Sequence, residues 1–186
     1  MKTSKKFTVE IEKILKSGGI GVIPTDTIYG LVGSALNKKA VRRIYQLRQR
    51  NPKKPLIILI GQISDLKKFQ ISLLSTFYFL FSKYWPGKVS IILPCPSPKF
   101  KYLHRGLKTL AFRLPKPKKL RGFLKKTGPL VAPSANLEGE PSSATIKDAG
   151  KYFGDRVDFY VNAGKKISNP SKVLKLEDNK IKVLRK

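Results

Sequence analysis

The chain has 186 residues, 41% of them hydrophobic, which suits one globular domain with a sizeable core and excludes a disordered polyelectrolyte. Lysine and arginine number 39 against 11 acids, a formal charge of +28. Such a field draws polyanions such as nucleic acid, nucleotide phosphates or an anionic membrane surface, although a lysine-rich solvated surface gives the same count.

In chain order, residues 8–17 read as a helix, with Thr8 as cap, Glu10 and Glu12 in the first turn and Gly18 at the end. Ile20 to Ile23 is a short apolar run that reads as a buried strand and stops abruptly at Pro24-Thr25-Asp26-Thr27. Small hydroxyls and an acid at a strand's exit are placed where α/β sheets keep ligands. Read plainly, the stretch is a strand–turn–strand in which Thr and Asp satisfy turn amides. Asn37 caps a second helix to about Arg48, and a basic, proline-broken loop follows over 48–55. Leu56–Ile60 is a strand, Ser64–Phe69 a short helix, and 72–84 a strongly apolar helix stopped by Trp85-Pro86-Gly87. Lys88–Leu93 and Thr109–Leu114 are strands flanking a Pro/Lys-rich loop over 94–107. Residues 117–127 form a basic helix, Pro129–Ala132 a brief strand, 143–153 a helix and Val157–Val161 a strand. Val173–Leu176 and Lys180–Leu184 close as a hairpin across Glu177-Asp178-Asn179. Helices and strands alternate without repeats or a linker, so the expectation is a single α/β domain over 1–186 with a mixed sheet.

The inventory of reactive groups is narrow. One cysteine, Cys95, and one histidine, His104, exclude an intrachain disulfide framework and a Cys/His zinc site. Neither has a visible partner for nucleophilic catalysis, paired carboxylates are absent, and there is no Walker loop. No signal peptide is visible, and the longest apolar segment, Ile71–Phe81, is too short to span a bilayer. The expectation is a cytoplasmic protein with no membrane partner. What remains at strand exits is Thr25/Asp26/Thr27, Arg48/Arg50, Arg113 and Ser134/Asn136. Guanidinium forks and hydroxyls hold phosphates and carboxylates, and suit a reaction at phosphorus that needs positioning and charge stabilisation. Arg113 inside a strand also reads as a sheet-edge charge.

Five segments in order carry a resemblance: Ile23-Pro24-Thr25-Asp26-Thr27-Ile28-Tyr29-Gly30-Leu31, Arg48-Gln49-Arg50 with Lys54-Pro55-Leu56-Ile57, Ala111-Phe112-Arg113-Leu114-Pro115, Ala132-Pro133-Ser134-Ala135-Asn136 through Ser142, and Asn169-Pro170-Ser171 with Val183-Leu184-Arg185. Together they resemble the YrdC-type family. That resemblance implies a twisted mixed sheet flanked by helices around a basic concave cavity, and a threonylcarbamoyl-AMP synthase. Its substrates would be L-threonine, bicarbonate and ATP, with Mg2+ held mainly through phosphates. The product feeds N6-threonylcarbamoyladenosine modification of tRNA through a separate transferase complex. By the same resemblance Thr27, Arg113 and Ser171 hold threonine, while Arg48, Arg50, Lys54, Thr109, Ser134, Asn136, Ser142 and Arg185 line the ATP side. Asp26 is expected behind the substrate, and no residue is assigned covalent or acid/base chemistry.

The chain departs from the family pattern at several positions. Arg48 stands for a lysine, Lys54 for an asparagine, Leu59 for a frequent histidine that helps hold threonine, and Glu138 for a serine, the last expected to be a surface change. The chain reaches Lys186 just past Arg185, which resembles the short stand-alone form. Two other readings stay open: a non-catalytic module of the same fold binding tRNA or double-stranded RNA through its basic surface, and an adenylating enzyme with another amine substrate.

Overall fold

The structure, a computed structural model, describes residues 2–72, 75–177 and 180–185. The chain opens with β1 (Lys2–Ser4), α1 (Val9–Lys16), β2 (Ile20–Pro24), β3 (Tyr29–Ser34), α2 (Lys38–Leu47) and β4 (Ile57–Leu59). A 3-10 segment over Ile63–Phe69 leads to α3 (Ser75–Tyr84) and β5 (Val89–Pro94). A 3-10 turn at Pro98–Phe100 runs into α4 (Lys101–His104), then β6 (Thr109–Arg113), α5 (Lys118–Thr127) and β7 (Leu130–Val131). After these come α6 (Ile146–Phe153), a 3-10 turn at Gly154–Arg156, β8 (Phe159–Val161), β9 (Lys172–Glu177) and β10 (Lys180–Arg185).

Local chemistry sets the helix ends. Thr8 Oγ1 accepts the Ile11 N–H at 3.3 Å to start α1, and Asn37 Oδ1 accepts the Ala40 N–H at 3.0 Å to start α2. Thr145 and Asp148 form a reciprocal capping box. Thr145 is therefore extended ahead of α6, and residues 143–145 are not helical as expected. The expected helix over 72–84 is seen from Ser75; Leu73 and Leu74 lie outside the described residues, as do Asp178 and Asn179 of the closing turn. The expected loop over 94–107 contains α4, because Phe100 and Leu103 bury themselves despite the surrounding lysines.

All the strands join one mixed ten-stranded sheet, ordered β1-β8-β2-β3-β7-β4-β6-β5-β9-β10. β2 and β3 form an antiparallel hairpin around residues 25–28, with Pro24 opposite Tyr29. One strand was not expected. β1 is a polar three-residue strand paired in parallel with β8. β3, the second strand of the strand–turn–strand reading, carries Gly30 and Gly33 and is an interior strand. Its glycines and Gly21 are there for close packing: a Cβ on Gly21 would lie 2.5 Å from the Phe159 ring, and one on Gly33 would lie 2.9 Å from Ile20.

Period-2 alternation sends neighbouring side chains to opposite faces of the sheet. On one face Val22, Leu31, Ile58, Val131, Phe112 and Tyr160 pack beneath α2, α3, α4 and α6 in the larger core. On the other, Ile23, Val32, Leu59, Leu130, Phe159 and Val161 pack beneath α1 and α5. Those two helices cover only the β8-to-β4 half of their face. Over β6, β5 and β9 the same face is bare, and the cavity lies there.

Candidate active site

The cavity has a volume of about 340 Å3. Its floor is the uncovered sheet face: Ile57 of β4, Thr109, Ala111 and Arg113 of β6, Ile92 of β5 and Val173 of β9. Thr109, Ala111 and Arg113 share that face because they alternate along one strand. The walls are Thr25, Thr27 and Ile28 from the β2–β3 turn, Arg48 and Arg50 after α2, Pro133 and Ser134 after β7, and Pro170, Ser171 and Arg185. Four arginines thus face one space, and no carboxylate is among the lining residues.

The β2–β3 turn is wired by its threonines. The Thr25 hydroxyl donates to the Ile28 carbonyl at 2.7 Å, and Thr25 Oγ1 accepts the Thr27 N–H at 3.2 Å. With its own hydrogen committed, Thr25 must be the acceptor in the 3.1 Å contact between the two hydroxyls. Thr27 Oγ1 in turn accepts from Arg113 Nη1 at 3.2 Å. Arg113 Nη2 lies 3.1 Å from Asp26 Oδ1, with the two side chains only 5% and 3% exposed. The Arg113 Nε and both Asp26 oxygens have no hydrogen-bond partner among the described residues. Burial lowers the Arg113 pKa, Asp26 opposes that shift, and Arg185 adds to it. A buried pair of this kind roughly breaks even in stability, but removing one partner strands the other and costs about 3–5 kcal/mol. β6 lies between β4 and β5, so Arg113 is an interior residue and not a sheet-edge charge.

Arg48 is buried and spends its guanidinium on the loop after β7. Nε donates to the Asn136 carbonyl at 2.9 Å, and Nη2 to Ser134 Oγ at 3.1 Å and Asn136 Oδ1 at 3.3 Å. Nη1 is buried without a partner among the described residues. Burial first, and Arg50 second, lower the Arg48 pKa to about 10, which leaves it cationic at neutral pH. Arg50 is pinned through Nε to the Lys54 carbonyl at 3.3 Å and through Nη2 to the Pro55 carbonyl at 3.0 Å. Ser171 contacts Ser90 Oγ at 2.9 Å and accepts Arg185 Nε on its carbonyl at 2.8 Å and Nη2 on its hydroxyl at 3.1 Å. Burial lowers the Arg185 pKa, with Arg50 adding to the effect.

The structure brings Thr27, Arg48, Arg50, Thr109, Arg113, Ser134, Ser171 and Arg185 to the cavity. Lys54, Asn136 and Ser142 do not line it. Lys54 turns its ammonium to Glu138 Oε1 at 2.7 Å. Asn136 is consumed by Arg48 and by the Leu137 and Glu140 carbonyls, both at 2.7 Å, so it shapes the turn. Ser142 is exposed before α6. Leu59 shares the cavity's sheet face two residues beyond Ile57, but it is covered by the α1/α5 cluster. Glu138, expected at the surface with no particular role, also accepts the Asn51 N–H and so ties the 49–55 loop to the loop after β7. Ala111, Ile92 and Val173 were missed by sequence reasoning; alternation outward from Arg113 would have found Ala111.

Other reactive groups are occupied elsewhere. Cys95 is buried with Sγ 3.6 Å from the Phe69 carbonyl, and burial pushes its thiol pKa up. His104 Nδ1 accepts the Gly106 N–H at 3.1 Å while Nε2 faces the Ser97 carbonyl at 3.3 Å, which makes Nε2 the protonated nitrogen of a loop staple. No group of three His, Cys, Asp or Glu side chains that could hold a metal occurs among the described residues. None of the described helices is long and apolar enough to cross a membrane.

Known proteins share both the sequence pattern and the architecture. The family model for Sua5/YciO/YrdC proteins, described as telomere recombination, matches residues 13–186. A threonylcarbamoyl-AMP synthase of Bacillus subtilis is 31% identical over 166 residues, 88% of this chain and 48% of that protein. A putative threonylcarbamoyl-AMP synthase of Methanocaldococcus jannaschii is 31% identical over 179 residues, 95% of this chain and 84% of that protein. The structure of P. abyssi Sua5 complexed with L-threonine superposes with a TM-score of 0.88 at 26% identity, over 99% of this chain and 56% of that one. E. coli YciO has the same fold, with a TM-score of 0.83 at 22% identity over 100% of this chain and 93% of that one. The chain spans about half the length of the B. subtilis and P. abyssi proteins. With the family model matched across nearly its whole length and the same architecture, the chain belongs to the Sua5/YciO/YrdC family.

Proposed function

We propose that this chain is an L-threonylcarbamoyladenylate synthase, a nucleotidyltransferase acting on L-threonine, bicarbonate and ATP. The observation that carries the reading is Arg113, held at the cavity floor by Thr27 and Asp26 and facing a space shared with three further arginines. The names of the relatives and the threonine in the P. abyssi Sua5 complex support it.

In this reading the threonine amine attacks bicarbonate and water leaves, giving an N-carboxylate. An oxygen of that carboxylate attacks the α-phosphorus of ATP; the bond to the β-phosphate oxygen breaks and pyrophosphate departs. Two anions must meet, so catalysis is chiefly a matter of bringing them together against their repulsion. Arg113, Thr27 and Ser171 orient threonine, and Arg113 is the partner for its carboxylate. Arg50, Arg185, Thr109 and Ser134 form the nucleotide side, with Arg48 and Asn136 holding Ser134 in place. Mg2+ would be held mainly through the ATP phosphates, where it would neutralise their charge; the buried carboxylate Asp26 is already paired with Arg113. A cytoplasmic role in tRNA threonylcarbamoylation, with the adenylate passed to a separate transferase complex, completes the reading.

The test is pyrophosphate release from ATP by the purified chain, with threonine and bicarbonate each omitted in turn. Release that requires both supports the reading. ATP left intact with both present would return the protein to the non-catalytic, RNA-binding alternative, and equal turnover with other amino acids would redirect it to another amine.

A further inference from the structure

The loop that presents Arg50 to the cavity presents its tip to a second concavity, of about 460 Å3, whose lining residues differ entirely from those of the first. Lys38 of α2, Lys53 of the loop, Lys99 of the 3-10 turn, and Lys101 and Arg105 at the two ends of α4 converge on it around Tyr102. Five cations meet there, and no carboxylate is among the lining residues. None of the five makes an ion pair with a described residue. Like charges gathered into one concavity repel, and no described carboxylate lies within ion-pair distance to offset them.

Arg105 is the built part of this groove. It caps α4 with φ +53°, the left-handed region that a residue with a Cβ enters at a cost. Its guanidinium carbon lies over the Tyr45 ring, 4.0 Å from the centroid. Tyr45 is itself fixed by a 2.8 Å bond from its hydroxyl to the Lys54 carbonyl. That cation–π contact holds the guanidinium in place, and Nε is buried without a partner among the described residues. Across the groove Lys38 sits 5.6 Å from the centre of the Tyr102 ring, whose hydroxyl is anchored on the Ala35 carbonyl at 2.8 Å.

A guanidinium fork held over a ring, surrounded by ammonium groups and with no carboxylate among the described lining residues, matches phosphate oxygens. We propose that this groove is a second anion site, separate from the reaction cavity, that takes a run of phosphate groups. Its volume exceeds what a single phosphate needs. A free oligophosphate and a ribose–phosphate backbone present the same chemistry, and the proposal holds whether or not the cavity adenylates threonine.

The experiment uses the 15N-labelled full chain without threonine, bicarbonate or ATP. It is titrated in parallel with tripolyphosphate and with a single-stranded oligoribonucleotide. The expected result is saturable movement of the Lys53, Lys99 and Gly106 amides with at least one probe. Lys53→Ala/Lys99→Ala/Arg105→Ala should weaken that binding at least about tenfold. It should also reduce the dependence of log affinity on log salt by roughly two to three for the oligonucleotide. The charge-matched change Lys5→Ala/Lys13→Ala/Lys16→Ala, at and ahead of α1, should alter affinity less than about twofold. If Arg105→Ala disturbs α4, Lys53→Ala/Lys99→Ala at two exposed lysines carries the test. Response to tripolyphosphate alone identifies a free oligophosphate as the ligand; response to the oligonucleotide identifies a backbone. Groove amides that stay still with both probes, or equal weakening by the groove and α1 variants, overturn the proposal. Because no adenylation substrate is present, an inactive synthase would not affect the outcome.

Discussion

Arg113 faces two anions in turn: Asp26 in the free protein and, in the proposed reaction, the threonine carboxylate. Arg113→Ala should therefore raise the threonine requirement by roughly 2–5 kcal/mol in transition-state terms, and should destabilise the fold by stranding Asp26. Arg113→Ala/Asp26→Asn separates the effects. Melting should return toward wild type while the initial rate of pyrophosphate release still fails to saturate with threonine. If the double change restores both, Arg113 is only half of a structural pair. Arg50→Ala should raise KM for ATP more than KM for threonine, by about tenfold, in the same assay; equal losses would reject the division of the cavity into a threonine side and a nucleotide side. That Thr27, Arg113 and Ser134 would meet at one cavity was legible, since they stand at or beside strand ends. The work of Arg48 was not. Its partners at 134–136 are distant in sequence, and only the folded sheet brings the two loops together.

Among the elements, the helices were the readable part, because Thr8 and Asn37 cap them by local bonds. β3 was also readable as the second strand of a strand–turn–strand, and the folded sheet shows what its glycines do there: they let other strands and side chains approach. Gly21→Ala tests that directly. A methyl group 2.5 Å from the Phe159 ring must displace it, and the expected cost is about 1–3 kcal/mol, read as a fall of several degrees in Tm. The 49–55 loop gives a pH-dependent prediction. The hydrogen bond from Lys54, then that from the Asn51 N–H, holds the Glu138 carboxyl below its ordinary pKa. A lowered folded-state value means the stabilisation is full above the ordinary carboxylate pKa and is lost as pH falls through the folded-state one. Glu138→Gln should thus lower Tm by a degree or two at pH 7, in keeping with about 0.5 kcal/mol for an exposed pair, and the difference from wild type should shrink as pH falls below the ordinary carboxylate range. A constant difference across that range would assign the effect to packing.

For the molecule as a whole, the charge of +28 and the cavity lined by four arginines make one prediction together. A field of that size should steer ATP inward, so kcat/KM for ATP should drop about tenfold between low salt and several hundred millimolar, with kcat changing much less. Insensitivity to salt would confine the useful charge to the cavity itself. A mixed α/β sheet was legible from the alternation of helices and strands. That α1 and α5 cover only part of one face was not, since helix count and length say nothing about which strands lie beneath them. The order of the strands has a further consequence for how the protein is made. The cavity draws on residues from Thr25 to Arg185, and β1 waits for β8 before it has any neighbour. During translation, an emerging chain would hold Arg48, Arg50 and Arg113 well before Arg185 arrives on β10. Ligand capture should therefore begin only with the final strands, making the nascent protein inert until its sheet is closed.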